Sequence, residues 1–183
     1  MLLKALRNPR NGRRQRGTTI MEYAIWSILA ALVIVGIFLA YGNASASGQT
    51  NTAMTELNAI QTGIRSVYAG QASYNGLAAA DLISTKSIPN SDIDSAGTGL
   101  VHPFGDAVTI ASANYGTGTD NAFDVTFTNL DPDVCNRLAV KDMGGTLVSV
   151  TIGTTAYTTL PVSPANAQTS CGTAATDVTW TFH

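Results

Sequence analysis

The chain has 183 residues, of which 10 are Lys or Arg, 12 are Asp or Glu and 45% are hydrophobic, and its formal net charge is −2. Six of the ten cationic residues lie within the first 16 positions, so the rest of the sequence carries 4 cationic and 12 acidic residues, a net charge of −8. This balance excludes a basic surface for nucleic acid or anionic lipid beyond the N-terminal segment. The length suits one membrane helix and one globular domain with its own core.

A long apolar segment follows the basic N-terminus. Residues 18–41 contain Glu22 as their only charged side chain, and a helix of that length covers a bilayer core about 30 Å thick. Because positive flanks stay in the cytoplasm, the rest of the chain is predicted to be exported. The segment is too long for the core of a secretory signal, about 7 to 15 residues, and the small residue Gly17 precedes it. Cleavage after Gly17 would therefore leave the apolar helix on the mature protein, which would begin at Thr18.

These residues resemble the type IV prepilin signal, in which a basic leader ends in glycine and an apolar helix follows with a glutamate at its fifth position, here Glu22. The leader length and the first mature residue, Thr18, are similar to the type IVb branch, which includes the major pilins of conjugative thin pili. Thr18 departs from the large apolar residue usual at this position. The segment 102–105, His-Pro-Phe-Gly, is similar to the one that leads into the sheet of type IVb pilins and pseudopilins.

The resemblance implies an α+β pilin fold, in which a long N-terminal helix packs on an antiparallel sheet of about four to six strands. It implies a structural protein with no catalytic residues, no metal and no cofactor. The domain boundaries expected on this basis are a cleaved leader at 1–17, a membrane and polymerisation helix at 18–42, an amphipathic helix at 43–70 and an exported domain at 71–183.

Glu22 needs a partner if it lies within a membrane, where an unpaired carboxylate costs at least about 2.5 to 3.5 kcal/mol. No Lys or Arg occurs between Thr18 and Arg65, so the candidate cation is the new α-amine of Thr18, in the same subunit or in a neighbour. Thr18 and Glu22 are thus the predicted assembly residues, and Gly17 and Thr18 the processing residues. The alternative is that Glu22 extends to water at the membrane interface.

The amphipathic helix is indicated by apolar residues at spacings of three and four, and it is expected to end near Gly70 and to pack on a sheet. These residues are Ala53, Leu57, Ile60, Ile64 and Val67. Before them, the small polar residues and two glycines of segment 42–48 allow either a locally loosened helix or a continuous one.

The remaining sequence predicts mostly irregular structure and strands. Residues 71–103 indicate a long surface loop with a short helix near 78–83. Alternating Val, Thr, Phe and Ile predict half-buried antiparallel strands at 108–110, 123–127, 147–152 and 178–182. Asp131 as N-cap and Pro132 at the first helical position predict a short helix between the second and third of these strands.

Cys135 and Cys171 look like the cysteine pair that closes the variable C-terminal region of pilins. In an exported domain they would meet an oxidising compartment, so a disulfide is predicted. By the chain-entropy estimate this bond contributes roughly 3 to 4 kcal/mol. Segment 153–172, much of which it encloses, is rich in Thr, Pro, Ala and Ser and is expected to have little apolar anchoring.

Signals for catalysis or metal binding are weak. His102 lies beside a proline and His183 is the last residue of the sequence, so neither has a nucleophile or metal ligand nearby in sequence. Segment 92–97 begins like a calcium loop but has Ala96 at the fifth position and no acid at the twelfth, so a solvated turn is expected.

The sequence therefore predicts a self-assembling type IVb pilin that waits in the bacterial inner membrane and then enters an extracellular fibre used for adhesion, aggregation or mating contact. Expected partners are other copies of the chain, prepilin peptidase, an inner-membrane assembly platform with its ATPase, an outer-membrane secretin, and a recipient-cell or host surface. Two alternatives remain: a pseudopilin of a secretion system, which shares the signal, and a membrane-tethered periplasmic binding module or enzyme, which would need a site.

Overall fold

The computed structural model describes residues 20–183, and within these it describes every side chain except those at 38–47. The chain divides into two compact units, one ending at Asn43 and the other comprising Ala44–His183. Helix α1 covers Ile20–Val67, so the backbone is helical throughout segment 42–48 and the continuous alternative is the one observed.

The second part of α1 is the central helix of the Ala44–His183 unit. Its apolar stripe is completely buried, because side chains three and four positions apart fall on one face of an α-helix. The stripe consists of Ala53, Leu57, Ile60 and Ile64, each with 0% exposure. Val67 ends the helix and packs against the same core. The stripe predicted from the spacing is the one that covers the sheet.

The sheet has six strands in the order β1-β2-β3-β6-β4-β5, and every neighbouring pair is antiparallel. This confirms the predicted α+β architecture with a helix packed on an antiparallel sheet. The strands are β1 Leu100–Val101, β2 Ala107–Ala113, β3 Ala122–Leu130, β4 Leu147–Ile152, β5 Thr155–Tyr157 and β6 Thr176–Phe182. The chain reaches β6 last, yet β6 lies between β3 and β4.

Alternation along the two central strands supplies most of the aromatic core. Phe123 and Phe127 of β3, and Trp180 and Phe182 of β6, are fully buried. Phe127 and Trp180 pack edge to face with ring centroids 5.3 Å apart, an arrangement worth about 0.5 to 1.5 kcal/mol beyond the area buried. The residues that alternate with the buried ones along these two strands are mostly threonine and aspartate, so the opposite face of β3 and β6 is polar.

The segment at 71–103 is more ordered than predicted. Helix α2 covers Ala79–Ser84, close to the short helix expected at 78–83, and a 3₁₀ turn follows at Asn90–Asp92. The prediction of a surface loop was wrong for its apolar residues, which enter the core beside α1 because they are the apolar anchors of an otherwise polar segment. They are Leu77, Leu82, Ile88 and Leu100.

Two short helices complete the domain. Helix α3 covers Pro132–Ala139; Asp131 occupies the predicted N-cap position, but its side chain makes no capping hydrogen bond. Helix α4 covers Pro164–Cys171 and was not predicted, although Ser163 caps it by accepting a hydrogen bond from the Asn166 backbone amide.

The expectation of little apolar anchoring around α4 was also wrong. Val162 and Ala167 are 2% and 0% exposed, so the segment between β5 and β6 is held by core contacts as well as by its cysteine.

Candidate assembly surfaces

The first part of α1 presents a continuous apolar surface. Residues Ile20–Ile37 have a mean hydropathy of 2.2, and none is buried within the structure. Large side chains here remain open to the surroundings, with Ile20 90% and Trp26 68% exposed. An exposed apolar surface of this extent marks contact with a membrane or with protein. By length and composition the segment is able to cross a bilayer.

Glu22 lies in the first turn of α1 and is exposed. The partial positive charge at a helix N-terminus favours a carboxylate there. Its predicted partner, the amine of Thr18, and the predicted cleavage residue Gly17 both lie outside the described residues. No cationic residue occurs between Glu22 and Arg65 in the sequence, so the part of α1 that follows Glu22 supplies no cation for the carboxylate before Arg65.

The two cysteines join α3 to α4. Cys135 and Cys171 form a disulfide with their Cα atoms 5.8 Å apart, and both side chains are fully buried. Cys135 lies one helical turn before Leu138, on the buried side of α3. The bond therefore holds α4, a helix with only two buried residues, Ala167 and Cys171, against the rest of the domain.

Beside the apolar stripe of α1 lies an acidic cleft, which we call the acidic flank. Glu56 of α1 and Asp92 of the 3₁₀ turn are 4% and 8% exposed and line a cleft of about 160 Å³. Burial, and secondarily the nearby charge of Asp92, raise the pKa of Glu56 to about 8. One carboxyl oxygen of Glu56, Oε1, is buried without a hydrogen-bond partner among the described residues, whereas Asp92 accepts a hydrogen bond from Ser91 at 2.7 Å.

On the other side of α1 lies a second cleft, the basic flank, of about 200 Å³. It is lined by Arg137 and Val140 at the end of α3, by Lys141, and by Thr50 and Asn51 of α1. Lys141 is exposed. Arg137 and Lys141 are four residues apart in the sequence, and together they are half of the four cationic residues found after position 17.

His102 has a structural role. It is 2% exposed, its ring stacks on Phe127 with centroids 5.2 Å apart, and Nε2 lies 2.9 Å from the Thr128 carbonyl oxygen. His183, the second histidine, packs against the Tyr115 ring. Neither ring lies in a described arrangement that would support nucleophilic catalysis.

The turn after the 3₁₀ helix is only partly as predicted. Asp94 accepts a hydrogen bond from the Thr98 backbone amide at 2.9 Å, and backbone hydrogen bonds from Thr98 and Gly99 lower its pKa. Asp92, expected in a solvated turn, is instead buried against α1 because the turn packs on the helix. Within residues 20–183, no group of three or more His, Cys, Asp or Glu side chains could hold a metal ion.

The acidic flank was not predicted from the sequence. Glu56 immediately precedes the stripe residue Leu57, and this position at the edge of an apolar stripe was the only local signal. The contact with Asp92 joins residues 36 positions apart and depends on how the intervening segment packs.

Comparison with protein families finds a match to the Bundlin family over residues 42–183. Among curated proteins, the chain is 31% identical over 134 residues to the major structural subunit of bundle-forming pilus from Escherichia coli O127:H6 (strain E2348/69 / EPEC). It is equally similar to the protein of the same description from Escherichia coli O111:H-. In both cases the alignment covers 73% of this chain and 68% of the relative.

Two solved structures share the fold. The type IVb pilin from Salmonella typhi superposes with a TM-score of 0.58 at 18% identity, covering 71% of this chain and 97% of that structure. TcpA, a type IV pilin from the Vibrio cholerae El Tor biotype, gives a TM-score of 0.56 at 19% identity, covering 74% of this chain and 99% of that one. At these identities the likeness concerns the fold.

Proposed function

The chain belongs to the bundlin family and is a type IVb pilin, a structural protein and not an enzyme; from this premise we propose that it is the major structural subunit of a bundle-forming type IVb pilus. Its relatives in Escherichia coli are described as major structural subunits of such a pilus. The fibre would act at the cell surface in adhesion, aggregation or mating contact.

The observation that carries the proposal is the exposed apolar segment Ile20–Ile37, with Glu22 as its only charged side chain. Before assembly, a bilayer covers this surface in the inner membrane. After assembly, the same surface is covered by the helices of other copies in the core of the fibre. Both environments remove apolar surface from water, and each is therefore stabilised by about 25 cal/mol per Å² of apolar surface buried.

Processing would determine when the helix becomes competent to assemble. Prepilin peptidase would cut after Gly17 and free the amine of Thr18, whose reference pKa of about 7.7 to 8.0 makes it largely cationic at neutral pH. Glu22 of one copy would pair with the Thr18 amine of a neighbour, because each group, buried alone in an apolar fibre core, would carry an unpaired charge. The pair would thereby fix the axial register of neighbouring helices.

The other partners follow from the route that an exported subunit takes. An inner-membrane platform with its ATPase would lift subunits from the bilayer, and an outer-membrane secretin would let the fibre leave the cell. A recipient-cell or host surface would meet the finished fibre.

The proposal is tested on cells that express the full chain with the assembly machinery. Long surface fibres, sheared from the cells and seen by electron microscopy, should contain this chain beginning at Thr18 by intact mass and N-terminal sequencing. A chain that begins at Met1, or beyond Tyr41, would contradict the processing step. A processed chain found only in short fibres that do not reach the surface would point to a pseudopilin, and a monomer retained in the membrane to a tethered module.

A further inference from the structure

The two flanks of α1 lie on opposite sides of its buried stripe. At about 100° per residue, Glu56 falls on one side of the stripe and Thr50 and Gln61 fall on the other. The contacts agree with this geometry. On the Glu56 side, a Cβ atom at Gly63 would lie 3.1 Å from the Ser87 carbonyl oxygen. On the other side, Gln61 donates a hydrogen bond to Thr146 at 2.8 Å.

The acidic flank lacks positive charge. Its lining residues are Thr52, Thr55, Glu56, Ala59, Pro89, Ser91 and Asp92, and no cationic side chain is among them. A buried carboxyl group normally has a hydrogen-bond partner, a cation or a bound proton. Glu56 has no partner for Oε1 among the described residues. Asp92 and Glu56 thus place two carboxyl groups in a cleft without a cationic side chain, which is a site that a cationic group from outside the subunit is suited to enter.

The basic flank has the complementary character. Lys141 is exposed beside the cleft that Arg137 and Asn51 also line. The nearest acid in sequence, Asp142, is engaged elsewhere, since its carboxylate accepts a hydrogen bond from the Gly144 backbone amide at 2.9 Å. The ammonium group of Lys141, on a flexible stem, is suited to reach an acceptor on another molecule.

We propose that these two flanks form a contact between successive copies in the fibre, in which Lys141 of one copy enters the acidic flank of the next and faces Glu56 and Asp92. The inference rests on the proposed function. A contact between two unlike surfaces of the same chain leaves one surface of each kind free at the two ends of a pair, so it repeats from copy to copy, as the contacts of an open helical filament do.

Charge favours a second copy as the occupant. After position 17 the chain has 4 cationic and 12 acidic residues, so two copies repel each other over most of their surfaces. Placing the basic flank against the acidic flank brings together opposite charges and fixes which sides of two subunits can meet. The same arrangement disfavours contact between two acidic flanks.

Assembly through this contact would be coupled to a proton. In the separate subunit, burial keeps Glu56 protonated over most of the neutral range. An ammonium group facing the cleft favours the ionised carboxylate, so the proton would be released as the contact forms. The nearby Asp92 carboxylate adds to the attraction for the cation.

The test uses two charge reversals, Asp92→Lys and Lys141→Asp, made separately in the full chain. Each substitution alone places like charges on the two sides of the contact. We expect the ratio of sheared fibre to free subunit to fall at least tenfold, which corresponds to about 1.4 kcal/mol or more per addition step. When both variants are expressed in one cell, copies can alternate so that every contact again joins opposite charges. Fibre yield should then recover, and the fibres should contain the two variants in equal amounts.

Lys86→Asp is the matched control. It makes the same change in net charge as Lys141→Asp, at an exposed position outside both clefts. Lys86 has a φ of 53°, a region that Asp tolerates. This variant should assemble like the wild type. Disulfide formation, seen as faster mobility on a non-reducing gel, reports folding of each variant.

If Asp92→Lys lowers the amount of disulfide-bonded subunit, a milder pair of substitutions tests the contact instead. Lys141→Asp combined in one chain with Asp92→Asn should yield more fibre than Lys141→Asp alone, because the neutral amide removes one of the repelling charges.

The flank contact would be overturned if Lys141→Asp assembled like Lys86→Asp, or if neither co-expression nor the added Asp92→Asn restored fibre from folded subunits. In those cases wild-type fibres would still support the proposed function. Absence of this chain from any wild-type fibre would instead contradict the proposed function itself.

Discussion

Gly63 of α1 lies so close to Ser87 that a side chain has no free space between them: a Cβ atom at Gly63 would be 3.1 Å from the Ser87 carbonyl oxygen and 3.0 Å from Cδ2 of Leu82. The segment after α2 therefore packs directly on the backbone of the long helix. This close approach places the 3₁₀ turn beside α1, and with it Asp92 beside Glu56. The glycine is a packing requirement near the end of α1, at a helical position where the residue type is otherwise unfavourable.

The first prediction concerns this glycine. Glycine to alanine in a helix interior normally stabilises by about 1 kcal/mol, but Gly63→Ala should lose that gain and lower the free energy of unfolding by about 1 to 3 kcal/mol through overpacking. Gly48→Ala is the matched control, since Gly48 is in the same helix with no heavy atom within 4 Å of its Cβ position. Urea unfolding of the full chain in detergent, followed by near-ultraviolet circular dichroism, measures both. Equal effects of the two substitutions would show that the segment with Leu82 and Ser87 moves away readily from a side chain at position 63.

The second prediction concerns the disulfide. Cys171→Ser should lower the free energy of unfolding of the Ala44–His183 unit by about 2 to 4 kcal/mol, because the unfolded chain regains the freedom that the bond removes. Insertion of the apolar helix should be unchanged, since its burial in lipid does not depend on α4. Reductant should destabilise the wild type by a similar amount and leave Cys171→Ser unaffected. If the free energy of unfolding of the wild type did not change with reductant, core contacts alone would hold α4.

The third prediction is a pH dependence centred on Glu56. Burial and the charge of Asp92 raise the pKa of Glu56 from 4.5 to about 8 in the folded subunit, so between these two values the folded state holds a proton that the unfolded state has released. The free energy of unfolding should therefore fall as pH rises from about 4.5 to about 8, with a slope of at most about 1.4 kcal/mol per unit from this group. It should level off above the folded-state pKa.

Glu56→Gln isolates this effect. The amide does not titrate, so the slope of stability against pH between 4.5 and 8 should be shallower in this variant than in the wild type. Asp124, whose pKa burial also raises, contributes in the same direction in both proteins and cancels in the comparison. Asp133→Asn, at an exposed position, should retain the wild-type slope. Identical slopes for wild type and Glu56→Gln would mean that Glu56 titrates as it does in water.

The fourth prediction concerns Glu22. Glu22→Gln keeps the shape of the side chain and removes its charge, so the variant should be inserted and processed normally but should fail to join fibres. The incoming Thr18 amine would lose its partner, at a cost of a few kcal/mol per subunit and more than tenfold in each addition step.

Fibre yield at matched precursor level, with processing verified by mass, measures the effect of Glu22→Gln. Asp120→Asn, which removes one negative charge from the domain at a position where Asn is tolerated, should assemble normally. Normal fibres from Glu22→Gln would indicate that the carboxylate only extends to the membrane interface.

Much of the fold could be predicted because it is encoded in local periodicity. The spacing of Leu57, Ile60 and Ile64 identifies the helix and its buried face, and the alternation of Phe and Thr along β3 does the same for a strand. The contact of Glu56 with Asp92 could not be predicted, because it depends on the backbone approach at Gly63. Local periodicity carries no information about how a polar segment returns to a helix.

Helix α4 was not predicted from the sequence for a different reason. Between Pro164 and Cys171 its residues are Ala, Asn, Gln, Thr and Ser, with no apolar periodicity, so only the signals at its boundaries indicated a helix. Ser163 followed by Pro164 repeats the cap signal of Asp131 and Pro132 that correctly indicated α3. The pair Ser163 and Pro164 therefore carried the same signal for a second short helix, although α4 was not predicted.

The sheet ends on both sides in very short strands, β1 with two residues and β5 with three. An edge strand of that length offers few free backbone amides and carbonyls of its own. In the described sheet, however, residues 109–113 of β2 and 147–149 of β4 extend past these strands and have no strand partner on their outer edges. In a pilin, a long open edge exposed to other subunits would seed disordered aggregation through strand pairing. The short β1 and β5 thus limit such pairing to the brief stretches of β2 and β4 that extend past them.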